Sequence, residues 1–140
     1  MTSRRVMEGL KTYLTGAGMA LTGLTFNTVE ESEDKAYPLG VVEETGTSER
    51  GDGGVVMRGI YDLTVACHLY TDPERTTDAD HQTAMDEFYS ALGNATAITA
   101  ALNGETSLRC YDVRGIEQIT GPEDGRRKTT VTLLVTAAEI

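Results

Sequence analysis

The sequence predicts an α+β domain in which a mainly antiparallel sheet carries helices packed on one face, in the order α-β-β-β-α-β-β. Three periodicities predict it. Val55 to Tyr70 places Met57, Tyr61, Leu63, Val65, Cys67 and Leu69 on one parity, as a strand packed on one side requires. His81, Ala84, Met85, Phe88, Tyr89 and Leu92 recur at i, i+3, i+4, i+7, i+8 and i+11, the stripe of an amphipathic helix. Val131, Leu133, Val135 and Ala137 alternate with Thr130, Thr132, Leu134 and Thr136, the signature of a strand with unequal faces.

The remaining elements follow along the chain. Val6, Leu10, Tyr13 and Leu14 keep helical spacing behind Ser3, a candidate N-cap, so a first helix is expected from about Arg4 to Thr15, ended by Gly16 and Gly18. Leu24 to Val29 is rich in β-formers. The polar run Glu30 to Lys35 separates it from a second strand, Tyr37 to Val42, whose Pro38 predicts that it begins at a sheet edge. Glu43 to Gly54 has almost no apolar side chains and four glycines, which predicts an exposed loop or a long hairpin tip. Val55 to Tyr70 is expected to be central.

Asp72-Pro73 lies in a connection, and Thr77 or Asp78 is placed to cap the helix that follows, with acids in its first turn. Gly93-Asn94 stops that helix, and alanine-rich Ala95 to Leu102 adds a further turn or two. Leu108 to Ile119 and Lys128 to Ala138 form a closing hairpin around an elaborated tip, Thr120 to Gly125.

Composition bounds the class. The 140 residues are the usual size of one domain, and with 39% hydrophobic and 24% charged residues the chain is globular rather than fibrous or disordered. Apolar runs such as Val131 to Val135 fall far short of the roughly 20 residues of a membrane span, so no membrane partner is expected. The basic start Met1 to Arg5 is followed by Glu8, Lys11 and repeated glycines instead of an apolar run, which predicts cytosolic synthesis without a cleaved leader. A formal charge of −10 argues against a domain that clamps nucleic acid by neutralising phosphates.

No catalytic arrangement emerges, so the chain is expected not to be an enzyme. Cys67 and Cys110 sit in apolar stretches and are expected to be buried thiols. His68 and His81 lack zinc spacing. Asp78-Ala79-Asp80-His81 holds ligand-type atoms, yet acids at a helix start ordinarily serve the dipole, so no metal and no cofactor are assigned. Gly51 to Gly54 precedes a strand and no Lys-Ser or Lys-Thr follows, so it lacks the form of a phosphate cradle. Asn94-Ala95-Thr96 matches a glycosylation sequon by chance spacing. Arg126-Arg127-Lys128, behind Glu123 and Asp124, is expected to be a solvated hairpin rim.

Three stretches carry a resemblance: Tyr37 to Val42 before the glycine-rich segment, Tyr61 to Tyr70 running into Thr77 to Leu92, and Leu108 to Val113 followed by an acidic turn and Thr130 to Thr136. In pattern and order they resemble the small tail-completion or tail-terminator (head-tail joining) proteins of tailed bacteriophages. That resemblance implies a structural subunit of the virion neck, assembled in the host cytoplasm. It also implies a homo-oligomeric ring, commonly a hexamer, at the end of the tail tube, where it terminates tail growth and joins tail to head. The implied partners are further copies of the chain, the tail tube protein and a head-closure or connector protein, and DNA passes through the ring without specific binding. No catalytic or cofactor residue is implied. The segments Glu30 to Asp34 and Glu43 to Gly54 are longer than the shortest members of the family would have.

Within the second segment Glu43, Glu44, Glu49, Arg50 and Asp52 form a candidate subunit-interface loop. A competing reading is a stand-alone small-ligand-binding or regulatory domain with an apolar pocket beside the central strand. A third is an enzyme acting through Asp78, Asp80 and His81.

Overall fold

The computed structural model describes residues 2–33, 36–52, 55–105, 108–123 and 125–139, with side chains for all of these except 50–52 and 55–58. The chain runs α1 (Thr2–Thr15), β1 (Thr25–Thr28), α2 (Val29–Ser32), β2 (Leu39–Asp52), β3 (Val55–Thr71), α3 (Asp78–Leu92), α4 (Ala95–Asn103), β4 (Leu108–Glu123) and β5 (Arg126–Glu139). It is an α+β fold with a five-stranded mixed sheet ordered β1-β2-β3-β5-β4, in which β1 and β2 are parallel and every other pair is antiparallel. The expected order therefore holds, with α2 and α4 added to it.

The alternation on β3 decides the core. Leu63, Val65, Cys67 and Leu69 are fully buried, as are Val131, Leu133, Val135 and Ala137 on the paired β5. Against them lie Val6, Leu10 and Leu14 of α1, Ala84, Phe88 and Leu92 of α3, and Ile98 and Leu102 of α4, so these three helices share one face of the sheet. Phe26 stacks on Phe88 with ring centroids 6.2 Å apart. It lies across Gly40, its β2 partner, where a Cβ would sit inside the Phe26 ring.

Polar anchors fix the helices on that face. The Tyr13 hydroxyl donates to the Ala91 carbonyl at 2.7 Å, tying α1 to the end of α3. Cys110 N–H donates to Asn103 Oδ1 at 2.7 Å and Asn103 Nδ2 returns a bond to the Cys110 carbonyl at 3.1 Å, which locks the end of α4 to β4. Thr77 caps α3 by accepting from Asp80 N–H at 3.1 Å, and Asn94 caps α4 by accepting from Ala97 N–H at 3.1 Å, the ordinary use of these side chains at orphan N–H groups. The sequon asparagine is thus a helix cap.

Several expectations need correction. Ser3 lies inside α1, which starts at Thr2, so it is no N-cap. The polar run after Val29 contains α2, whose Glu31 carboxylate accepts from Thr28 N–H at 3.0 Å and Thr28 Oγ1 at 3.1 Å. The spacing Thr28-x-x-Glu31 is a capping-box signature that could have shown this helix in the sequence. The start of β2 is no sheet edge, because Leu39–Val42 pairs with β1 on one side and β3 on the other. Pro38 lies just before the strand, where a missing N–H costs no ladder bond. The closing hairpin has a short tip, since pairing runs to Glu123↔Arg126. Asp34 and Lys35 of the acidic spacer and Gly53 and Gly54 of the glycine-rich segment lie outside the described residues.

Candidate functional site

The candidate interface residues occupy a strand. Glu43, Glu44, Glu49, Arg50 and Asp52 all belong to β2, which pairs with β3 as far as Asp52↔Val55, so of the two expected forms, an exposed loop or a long hairpin tip, it is the hairpin that forms, with these residues on its distal arm rather than in a loop. Polar sequence misled because a hairpin arm that leaves the core needs no buried side chains, only its backbone ladder. The last β3–β5 pair is Ile60↔Ala138, and beyond it β2 and β3 continue as a two-stranded ribbon. Gly59, at φ 81°, supplies a left-handed residue where β3 leaves β5.

The five residues are not one cluster. Glu43 faces the helix-free side, with Oε1 3.7 Å from His68 Nε2, whereas Glu44 and Glu49 pair opposite Val65 and Tyr61, on the helix side, and are exposed. The carboxylate of Glu44 accepts from Thr47 Oγ1. Arg50 and Asp52 lie on the ribbon, and their side chains are outside those described.

Both sides of the sheet end in open strand. β1 covers β2 only over 39–42, and among the described residues no strand neighbours that edge of β2 from Glu43 onward. A groove of about 410 Å³ lies between the end of α3 and β4, lined by Leu92, Val113, Ile116 and Gln118 among others. A larger one, of about 840 Å³, lies between α1 and α2 at the start of the open stretch of β2, where Glu43 and Glu44 line it. On the opposite side β4 is the outermost strand, and it carries Tyr111, Ile116 and Ile119 with about half of each side chain exposed. Tyr111 and Ile116 sit at register shifts between Cys110 and Asp112 and between Gly115 and Glu117, which turn an apolar residue outward without disturbing the buried alternation.

The helix-free face holds an aromatic and cationic cluster. Tyr37 meets Tyr70 edge-on at 6.0 Å, the Arg126 guanidinium lies 4.4 Å from the Tyr37 ring centre, and Lys128 Nζ lies 5.5 Å from that of Tyr70. Lys128 also pairs with Glu123 at 3.2 Å. Arg127, on the other face, donates to Asp78 Oδ1 at 2.7 Å and to the Thr76 carbonyl at 2.8 Å. The basic triplet is therefore engaged within the chain rather than solvated at a rim. Alternation along β5 separates its members, sending Arg126 and Lys128 to one face and Arg127 to the other.

Burial accounts for the titratable groups between these faces. His68 is held below the usual histidine range by burial and then by Lys128, against the opposing pull of Glu43, and its Nδ1 shares a 2.8 Å hydrogen bond with Thr130. His81 is lowered by burial and by Arg127, and its Nδ1 shares a 2.7 Å hydrogen bond with Thr71 Oγ1. Asp78 and Asp80 are exposed at the start of α3, and Asp78 acts on His81 only as the weakest of its influences, opposing burial and Arg127. Among the described residues no three His, Cys, Asp or Glu side chains form a group that could hold a metal ion. Cys67 and Cys110 are free and buried, and burial pushes the Cys67 thiol up to about 12.

Sequence reasoning missed the two open edges. Of the apolar residues of β4, Tyr111 and Ile119 fall off the parity of Leu108 and Cys110 while Ile116 keeps it, so parity carried no consistent signal, and strand order was needed to show that β4 is outermost. The chain matches no family model and no curated protein.

Proposed function

We propose that this chain is a structural subunit of a tailed-phage neck, forming a homo-oligomeric ring at the end of the tail tube that terminates tail growth and joins tail to head. The observation that supports this reading most directly is the pair of open strand edges on opposite sides of one sheet, together with a hairpin that outruns it. A monomer exposes such edges at a risk of uncontrolled association, whereas a closed assembly covers them. Exposed Tyr111, Ile116 and Ile119 on the outermost strand fit that use.

The acidic balance suits a passage for DNA. Each copy carries a formal charge of −10, so a ring opposes long-lived phosphate contacts in its lumen and lets DNA slide. The partners in this reading are the tail tube protein on one rim and a head-closure or connector protein on the other. A stand-alone ligand-binding domain would need an apolar pocket beside the central strand; the inner face of β3 is filled at Leu63, Val65, Cys67 and Leu69, and the cavity of about 510 Å³ farther along it, at Gly59 and Tyr61, is otherwise lined by Thr2, Ser3, Glu44, Thr47 and Glu139.

The test is to add the purified chain to tail tube protein while the tubes polymerise. Tubes capped at one end and halted in growth are expected, with a native mass for the free chain at a discrete multiple of the subunit. A monomer that leaves tube growth unaltered at all ratios removes the reading.

A further inference from the structure

We infer that the open edge of β2 receives strand β4 of a second copy of this chain, in antiparallel sense, so that each subunit donates one sheet edge and accepts the other. The inference rests on the ring reading above and names the surfaces that would close it.

Strand sense and level agree without adjustment. β2 and β5 both run opposite to β3, and β4 runs opposite to β5, so β4 is antiparallel to β2 across the sheet. A copy placed beside the first by rotation about an axis along the strands brings its β4 antiparallel to the first copy's β2. The ladders also fix height. Glu43 pairs with Ala66, Ala66 with Thr132 and Thr132 with Glu117, while Glu49 leads through Tyr61 and Ala137 to Cys110. The open stretch of β2, 43–49, is therefore level with 110–117 of β4. Between its register shifts each edge keeps a regular run, 46–49 on β2 and 112–115 on β4, and by the same ladders Gly46, Thr47 and Ser48 are level with Arg114, Val113 and Asp112. A contact between two different edges of identical subunits is heterologous, and such contacts close into rings when the rotation permits.

Chemistry supplies the choice of occupant. The groove of about 840 Å³ beside the open β2 edge is walled by Glu8 of α1, Glu30 and Glu31 of α2, and Glu43 and Glu44 of β2, with Arg4 as the cation of its lining and with half-exposed Val29 on one wall. An added strand there needs apolar side chains to cover Val29 and cations to offset the carboxylates. At that level β4 presents half-exposed Ile116, between Gly115 and Glu117, which are level with Glu44 and Glu43, and exposed Arg114, level with Gly46 and 3.8 Å from Asp112; half-exposed Tyr111 meets the Glu49 end of the edge.

The experiment uses two full-length variants, one altered on each edge at exposed positions. The first carries Tyr111→Asp and Ile116→Asp, and the second carries Val29→Asp and Thr47→Asp. The wild-type chain should show a ring mass by light scattering, and each variant alone should run as a monomer with a cooperative melt. Mixed in equal amounts the two variants should form a heterodimer and nothing larger, because only one working pair of edges remains. Should an aspartate variant fail to melt cooperatively, alanine at the same positions carries the same test. A wild-type ring that survives both sets of substitutions overturns the edge pairing and leaves the ring reading standing. Variants that dissociate alone yet fail to combine, or that combine into full rings, also overturn it. A wild type that stays monomeric at every concentration overturns both.

Discussion

Replacing Phe88 with Ala probes the joint between sheet and helices most directly. Phe88 is fully buried on α3, and its ring stacks on Phe26 at 6.2 Å with the planes 5° apart. Truncating a fully buried phenylalanine costs about 3 to 5 kcal/mol through lost transfer energy and the residual cavity. The paired ring adds about 0.5 to 1.5 kcal/mol beyond area. Phe26 can relax little into the space, since Gly40 lies directly beneath its ring and β1 is held by its ladder to β2. The expected loss is therefore near the top of the range, about 4 to 5 kcal/mol. Urea unfolding followed by far-UV circular dichroism suits a chain with six tyrosines and no tryptophan. With a slope of about 2 kcal/mol per molar urea, the midpoint should fall by about 2 M while the slope stays constant. A shift below about 0.5 M would correspond to roughly 1 kcal/mol and would refute the placement of Phe88 at the centre of the core.

Three further outcomes are expected. Gly40→Ala should destabilise by about 1 to 3 kcal/mol, because the new methyl group must displace the Phe26 ring; a neutral result in the same urea series would show that the ring does not cover Gly40. His68 and His81 both have lowered folded pKa values, so the unfolded chain binds more protons as pH falls through the histidine range. Their contribution is thus present above about pH 6.5 and is lost on acidification. Melting temperature should fall between pH 7.5 and 5.5, and the fall should be shallower in His68→Gln with His81→Gln; an unchanged slope in that double variant rejects the assignment. Cys67 and Cys110 are buried with raised thiol pKa values, so a thiol reagent at pH 8 should label neither in the folded chain and both after denaturation. Rapid labelling of the native protein would contradict their burial.

What the sequence determined by itself was whatever a local period can express. Leu63 to Leu69 and Val131 to Ala137 showed which face of each strand is buried, and His81 to Leu92 showed which stripe of α3 meets them, because side-chain direction repeats every two residues in a strand and every 3.6 in a helix. The cap of α3 was legible to within Thr77 or Asp78, and it is Thr77, whose partner Asp80 N–H is three residues away. The extent of β2 was not. Glu43 to Asp52 reads as either a loop or a hairpin tip because its polar side chains carry no burial signal, and only the ladder to β3, made by backbone atoms that every residue possesses, decides for strand. The engagement of Arg126 and Arg127 within the chain likewise depended on a ring and a carboxylate far away in sequence, Tyr37 and Asp78. The candidate site lies wholly on the tertiary side. That β2 and β4 end the sheet as open edges at one level, with opposite sense, follows from strand order β1-β2-β3-β5-β4, and strand order is set by which long-range pairings bury the two apolar parities together.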